Sequence, residues 1–186
     1  MSFNLLKSPK FPSFVPKSVM RKHILHAWMQ LTACKIPVRI QKKAMSTLHN
    51  AVMQQIKECL RAAKKMILLS TRHVVTAKEI YLARSLLFAS IPRQNLRSRL
   101  NLRPIANNAC RELARSCNIS LSRKYSSDPI RPFNSYDEIR LLITDLIYAI
   151  LQHILHEQTD GNMAIIKLSY VTNALESKSL RKNYMF

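Results

Sequence analysis

Glycine is nearly missing from this sequence, with one residue in 186 against an average usage of about 7%. Loops that cradle phosphates and turns that bind dinucleotides need several glycines, because their backbones adopt positive φ angles and approach the ligand closely. A single glycine therefore excludes both kinds of nucleotide site.

The spacings typical of disulfide and metal sites are also missing. None of the four cysteines belongs to a C-x-x-C pair, so we expect reduced thiols at Cys34, Cys59, Cys110 and Cys117. Two histidine pairs have the i, i+3 spacing of ligands on one helix face. No carboxylate or cysteine completes either site, so solvated or capping histidines are favoured at His23/His26 and His153/His156. No local sequence marks a Ser-His-Asp or Cys-His constellation, and we expect no metal, no cofactor and no enzymatic activity.

No apolar run is long enough to span a membrane. The longest, residues 141–155, falls short of the roughly 20 residues that a span needs and contains Asp145, Gln152 and His153. We interpret it as a buried helix. The sequence has no N-terminal signal pattern, and we expect no membrane partner.

Acidic residues are scarce, ten against 30 Lys and Arg, which gives a formal charge of +20. Such a chain repels itself unless a polyanion neutralises it, which makes nucleic acid the first candidate partner and a membrane surface the second. RNA is disfavoured because the aromatic residues are few and not clustered for base stacking. Residues 1–100 hold 19 Lys and Arg against two acids, whereas residues 101–186 hold 11 against eight. Nearly all the net charge therefore lies in the first half.

Helical periodicity organises the first half. Residues 41–70 carry apolar residues at steps of three and four, which predicts one long amphipathic helix. Its polar arc contains Gln54, Lys57, Lys64 and Lys65. Ser18 can cap a shorter helix over residues 19–31, and Thr76 can cap another over residues 78–88. Extended segments are predicted at residues 38–40 and 74–75. Residues 1–18 contain three prolines and predict a disordered basic tail.

The second half repeats this plan after a basic linker at residues 91–102. A helix over residues 105–117 places four apolar residues on one face, at Ile105, Ala109, Leu113 and Ala114. A loop at residues 118–134 precedes a long helix at 136–159 that Ser135 can cap. An extended segment at 164–166 leads to a closing helix at 168–176. Short helix, long helix and short helix, joined by extended loops, occur twice.

This repeated plan resembles the histone fold, in residues 19–90 and 103–186. The first half is similar to core histone three at Arg39-Ile40-Gln41 and at residues 78–84, KEIYLAR; a match to core histone two-B through residues 43–46, KAMS, stays open beside it. The second half is similar to core histone four at residues 111–115, 136–138, 170–175 and 181–186. Its loop at 118–134 is longer than the family's. The resemblance implies an all-α protein of two tandem histone folds, paired head to tail as an intramolecular pseudo-heterodimer like the fused doublets of large DNA viruses.

The resemblance also implies where DNA is bound. In the family, paired loops present amides and arginines to phosphates, and an arginine at the position of Arg39 enters the minor groove. The basic residues in and beside these loops are Lys35, Arg39, Lys42, Lys43, Arg72, His73, Arg123 and Lys124. The family's intrachain bridge implies an ion pair between Arg72 and Glu79, a role that we rank above DNA contact for Arg72. Met163 and Tyr170 hold the equivalent positions in the second half, where apolar packing is favoured. The family has basic residues at the positions of residues 163–165, where this sequence has Met, Ala and Ile. This difference weakens the prediction of DNA contact there.

The implied function is packaging: the protein would wrap duplex DNA without sequence specificity as part of a nucleosome-like particle. Its partners would be double-stranded DNA, a second copy of the chain through the first half, and a further doublet resembling core histones two-A and two-B. The surface for the second copy would contain Met66, Leu69, Leu82 and Leu86. The protein would act on DNA, in a viral particle or viral factory, or otherwise in a nucleus or nucleoid.

A different class of function stays open. A histone-fold interaction subunit of a transcription or replication complex would use the pairing without wrapping DNA. The nearly neutral second half favours this alternative, and the basic first half disfavours it.

Overall fold

The structure is a computed structural model that describes residues 14–33, 38–68, 72–88, 105–127, 133–157 and 165–177. Two units with the same element order occur in these residues. Unit 1 contains α1 (Lys17–Leu31), β1 (Arg39–Ile40), α2 (Lys42–Ile67), β2 (Val74–Val75) and α3 (Ala77–Leu87). Unit 2 contains α4 (Asn107–Arg115), β3 (Ser120–Leu121), α5 (Ser135–Glu157), β4 (Ile165–Ile166) and α6 (Leu168–Glu176). The predicted linker, residues 91–102, lies outside the described residues.

The long helix α2 forms because its apolar residues recur at the helical period. It covers 26 residues, somewhat fewer than the predicted 41–70. Leu48, Val52 and Ile56 are fully buried, and each such side chain contributes about 1.5–3 kcal/mol when it leaves water. Because these residues share one helix face, α2 packs that face against helices of both units.

Lys57 corrects the predicted polar arc of α2. The sequence pattern places it towards solvent, but the residue is only 8% exposed. Its Nζ lies 5.2 Å from the centroid of the Phe14 ring, over the face of an aromatic residue that precedes α1. A tertiary contact therefore covers a lysine that helical periodicity alone assigns to the surface.

The predicted disordered tail, residues 1–18, is too long. α1 begins at Lys17, so Ser18 lies inside the helix and does not cap it. Val15 is fully buried, and its carbonyl accepts a hydrogen bond from His49 Nε2 at 2.9 Å. The residues just before α1 thus belong to the packed fold.

The start of α5 uses Asn134 as its cap, not the predicted Ser135. The Asn134 side-chain oxygen accepts hydrogen bonds from the amides of Tyr136 and Asp137, both at 3.0 Å. Ser135 is the first helical residue, and its hydroxyl donates to the Val75 carbonyl of unit 1 at 3.0 Å. The residue predicted to cap the helix therefore ties unit 2 to unit 1.

The two units pair head to tail through their loops, as predicted. β1 pairs in parallel with β4, with Arg39 opposite Ile165. β2 pairs in parallel with β3, with Val74 opposite Ser120. In both cases the first loop of one unit meets the second loop of the other. The sequence did not predict β3 as a strand, because the segment lies inside what it indicates as a long loop.

The core is continuous between the units, and α5 contributes a large buried apolar face to it. Ile139, Ile143, Leu146, Ile147 and Leu151 are all fully buried, as the interpretation of residues 141–155 as a buried helix requires. The helix is longer than that apolar run: with 23 residues, α5 is the one helix among the described residues with the length and composition to cross a membrane. Here that apolar surface packs against α1, α2, α3 and α6.

Candidate nucleic-acid interface

The β1–β4 corner holds one cluster of exposed basic residues on a fixed backbone. The Gln41 amide donates to the Ile166 carbonyl at 3.1 Å, and the Gln41 side-chain oxygen accepts from the Leu168 amide at 3.1 Å. These bonds lock the start of α2 onto the second loop of unit 2. Arg39, two residues before Gln41, is exposed.

Lys42 and Lys43 make the same corner strongly positive. Both are exposed in the first turn of α2, which contains no acidic residue. Lysines at a helix N-terminus oppose the helix dipole and cost about 0.3–1 kcal/mol each. The same arrangement adds lysine charge to the partial positive charge of the free helix amides, so an anion bound there is stabilised by both.

Sequence reasoning missed two further contributions to the β1–β4 corner. Lys167, at the end of β4, is exposed, and its Nζ lies 5.8 Å from the centroid of the Tyr170 ring. A groove of about 610 Å³ lies beside Lys42, and three basic residues of α1 line it: Lys17, Arg21 and Lys22. Leu25, Ile40 and Met45 also contribute to its walls. Lys17 Nζ donates to Ser46 Oγ at 3.2 Å. The helical spacing of these α1 residues is the sequence signal that indicates a basic face on this helix.

The β2–β3 corner is the second basic cluster. The Val75 carbonyl accepts hydrogen bonds from the Ser122 amide at 2.9 Å and from the Ser135 hydroxyl at 3.0 Å, which fixes the two loops against each other. Exposed basic residues stand on both sides of the strand pair, two from each unit: Arg72, His73, Arg123 and Lys124. Each corner thus combines loops from both units.

The strand pairs divide the predicted DNA-contact residues between two places. Arg39, Lys42 and Lys43 lie at the β1–β4 corner, and the other four lie at the β2–β3 corner. Lys35 lies outside the described residues. The contacts themselves stay predictions.

One comparison with known proteins bears on this geometry. No protein-family model and no curated protein matches the sequence. The structure is similar to the crystal structure of the histone from Methanopyrus kandleri, with a TM-score of 0.62 and 13% sequence identity, over 87% of this chain and 93% of that chain. The chain has the histone fold. Since neither unit alone makes up 87% of the chain, the similarity extends over both.

In this histone fold, the predicted ion pair between Arg72 and Glu79 is present, and the cap of α3 holds the Glu79 carboxylate more closely still. This carboxylate accepts hydrogen bonds from the Thr76 amide at 2.8 Å and from the Thr76 hydroxyl, and the two residues form a capping box. The Arg72 guanidinium is farther away, at 3.8 Å, and its side chain is 65% exposed. Exposed ion pairs of this length contribute little.

These bonds also set the acidity of Glu79. Burial alone would raise the pKa of its carboxyl, but hydrogen bonds from the Thr76 hydroxyl and from backbone amides, with a smaller effect of the Arg72 charge, hold the pKa below its ordinary value of 4.5. A depressed pKa in the folded state means that the ionised carboxylate stabilises the fold.

We expect Glu79→Gln to lower the free energy of unfolding by about 1 kcal/mol at neutral pH, and Arg72→Ala to change it by less than about 0.5 kcal/mol. Urea unfolding of both variants measures the difference. Because the pKa is depressed in the fold, the loss in Glu79→Gln should be present above pH 4.5 and disappear as the pH falls through the lower, folded-state value. An Arg72→Ala variant as unstable as Glu79→Gln would restore the ion pair as the main interaction.

An apolar surface lies at the end of α2 and on the outer face of α3. Leu82 is 42% exposed and Leu86 64% exposed, and Leu68, which sequence reasoning did not include, is 70% exposed. Met66 is half-buried against the core. Leu69 lies outside the described residues. We call Met66, Leu68, Leu82 and Leu86 the α2–α3 apolar surface.

The cysteine and histidine side chains show no second site among the described residues. Burial raises the pKa of Cys59 to about 12 and that of Cys110 to about 11, so both thiols stay protonated and unreactive at neutral pH. Sequence reasoning overlooked Glu157 as a neighbour of His153, whose Nε2 lies 2.9 Å from the carboxylate. The described ranges hold no group of three residues that could ligate a metal.

Proposed function

We propose that this protein is a histone doublet that binds and wraps duplex DNA without sequence specificity, and that it catalyses no reaction. The observation that carries the proposal is the composition of the two corners. Each combines loops from both units, and together they present seven of the predicted contact residues, with Lys167 as an eighth exposed basic residue, on backbones fixed by strand pairing. Rigid loops that carry several cations suit phosphate groups at fixed spacing.

Binding at the corners would be set by charge and DNA shape. Arg39 is exposed and lies two residues before Gln41, whose hydrogen bonds fix the start of α2. The Arg39 guanidinium can therefore enter a minor groove that faces the β1–β4 corner. The negative potential of a narrow groove attracts such a cation without any base being read. The formal charge of +20 would be neutralised by the phosphates, which removes the self-repulsion of the free protein.

Unit 1 would act as the core-histone-three-like half and unit 2 as the core-histone-four-like half. In that arrangement a second copy of the chain would bind to the α2–α3 apolar surface, whose leucines are exposed in the single chain. An additional doublet resembling core histones two-A and two-B would complete the particle. The protein would be located on DNA, in a viral particle or viral factory for a viral protein, and otherwise in a nucleus or nucleoid.

A histone-fold interaction subunit that does not wrap DNA is the second candidate. The low net charge of residues 101–186 favours it. Even so, unit 2 places Arg123 and Lys124 at the β2–β3 corner, where they add to the basic residues of unit 1. The two candidates differ in whether DNA binding is tight and independent of sequence.

Salt titration tests this difference. With about six phosphate contacts, the affinity for a duplex should fall by about 10³-fold or more between 50 mM and 200 mM salt, because each contact releases condensed counterions. Fluorescence anisotropy on several unrelated duplexes should give affinities within about tenfold of one another. Binding that is weak at low salt, or that prefers one short motif by orders of magnitude, would contradict the packaging proposal.

A further inference from the structure

A buried ion pair joins the two units. The guanidinium of Arg84 on α3 contacts the carboxylate of Asp145 on α5, and their side chains are 5% and 1% exposed. The residues are 61 positions apart in sequence and belong to different units. This contact therefore exists only when unit 1 and unit 2 are paired.

The pair lies in the buried core between the units. Glu138 precedes Asp145 by two helical turns on the same face of α5 and is 2% exposed. The pKa of Cys59 is raised mainly by burial, while the Arg84 charge lowers it and the Glu138 charge raises it. Both charges thus lie close to the Cys59 thiol of α2. An arginine enclosed in this way is stable only beside a carboxylate.

The pair breaks the approximate symmetry of the two units. Arg84 lies nine residues beyond Val75, and the residue nine beyond Ile166 in unit 2 is Leu175. Asp145 lies 20 residues before Ile165, and the residue 20 before Val74 in unit 1 is Gln54, which is exposed. Unit 1 thus supplies only the cation, and unit 2 only the carboxylate.

We propose that the Arg84–Asp145 pair selects the pairing partner of each unit. Unit 1 accepts a histone-fold unit that carries a carboxylate at the position of Asp145, either in the same chain or in a second copy. Pairing of unit 1 with unit 1 would place Arg84 against Gln54, and pairing of unit 2 with unit 2 would place Asp145 against Leu175. In both arrangements the charged residue would lose the partner that it has between unit 1 and unit 2.

The physics of buried ion pairs favours a role in selection over a role in stability. Removing two charges from water costs about as much as their attraction returns, so an apolar pair of similar volume is often equally stable. Loss of one partner is far more costly, because the other charge stays enclosed. A wrong partner is therefore rejected strongly although the correct one gains little, which is how specificity by exclusion works.

Four variants of the full chain test the interaction. Arg84→Asp and Asp145→Arg should each lower Tm by about 10 °C, because each encloses two like charges. The reversed pair Arg84→Asp/Asp145→Arg should recover at least half of that loss. The apolar pair Arg84→Met/Asp145→Leu is the control for packing and should melt within a few degrees of the unmodified protein. Single variants that melt like the unmodified protein would overturn the proposal.

Joint refolding tests the choice of partner. The Arg84→Asp chain and the Asp145→Arg chain are mixed in denaturant and refolded together at high concentration. In a dimer in which the two chains exchange units, unit 1 of the first chain pairs with unit 2 of the second, which brings the introduced aspartate against the introduced arginine. The other two units then bring the native Arg84 against the native Asp145. No other arrangement gives both ion pairs. Light scattering should detect this one-to-one dimer, melting above either variant refolded alone. A mixture that melts like its separate components, although the reversed pair recovers Tm, would show that the ion pair does not select partners.

Discussion

Neutralising Arg39, Lys42 and Lys43 together with glutamine should weaken duplex binding by about 10²-fold at 0.1 M salt, the largest effect we expect on DNA affinity. The three residues are exposed at the β1–β4 corner, so their loss removes phosphate contacts without opening the core. The slope of log affinity against log salt should fall by about three, one for each lost contact. Tm should not decrease, because the two lysines oppose the dipole of α2.

A control with the same change in net charge separates local contact from overall charge. Arg61, Lys64 and Lys65 lie on α2 away from its first turn, and all three are at least partly exposed. Replacing them with glutamine should reduce affinity by less than about tenfold, through the long-range field alone. Equal losses in both triple variants would contradict a defined corner site.

Separating the chain between residues 96 and 97 should abolish most of the helical signal of each half. The core joins the units: α1 and α3 pack on α5, and α6 packs on α2. Without its partner, each long helix would expose an apolar face, and isolated helices of this kind are marginal in water. The halves should regain helicity on mixing, measured by far-ultraviolet circular dichroism. Two halves that unfold cooperatively on their own, as monomers, would contradict this account.

Periodicity predicted the helices well because burial of one face determines both pattern and structure. The buried face of α2 and the four buried residues of the α4 segment, Ile105, Ala109, Leu113 and Ala114, follow directly from spacing. The closing helix matches its predicted bounds, Leu168–Glu176. In these segments the local sequence and the global fold agree.

Contacts between distant segments could not be predicted in the same way. Lys57 is covered by Phe14, and Arg84 meets Asp145, because tertiary packing brings these residues together. The Arg72–Glu79 ion pair that the family resemblance implies is present at 3.8 Å, but the local Thr76 cap holds Glu79 more closely. The T-x-x-E spacing of the sequence is the signal for this capping box.

The cap of α5 was misassigned for a related reason. Asn134 and Ser135 are both good capping residues, and propensity does not distinguish neighbours. The hydroxyl of Ser135 is used by the Val75 carbonyl of unit 1. The position of the cap was thus decided by pairing between the units, which local sequence does not encode.

Micrococcal nuclease digestion of long DNA saturated with the protein tests the central claim most directly. Wrapping predicts protected fragments of discrete, repeating length, because nuclease cuts only between bound particles. Leu82→Glu/Leu86→Glu, which places charges on the α2–α3 apolar surface, should leave only the shortest fragment if that surface joins two copies. Smooth digestion without a protected fragment, at a protein concentration that saturates the DNA, would contradict DNA packaging by this histone fold.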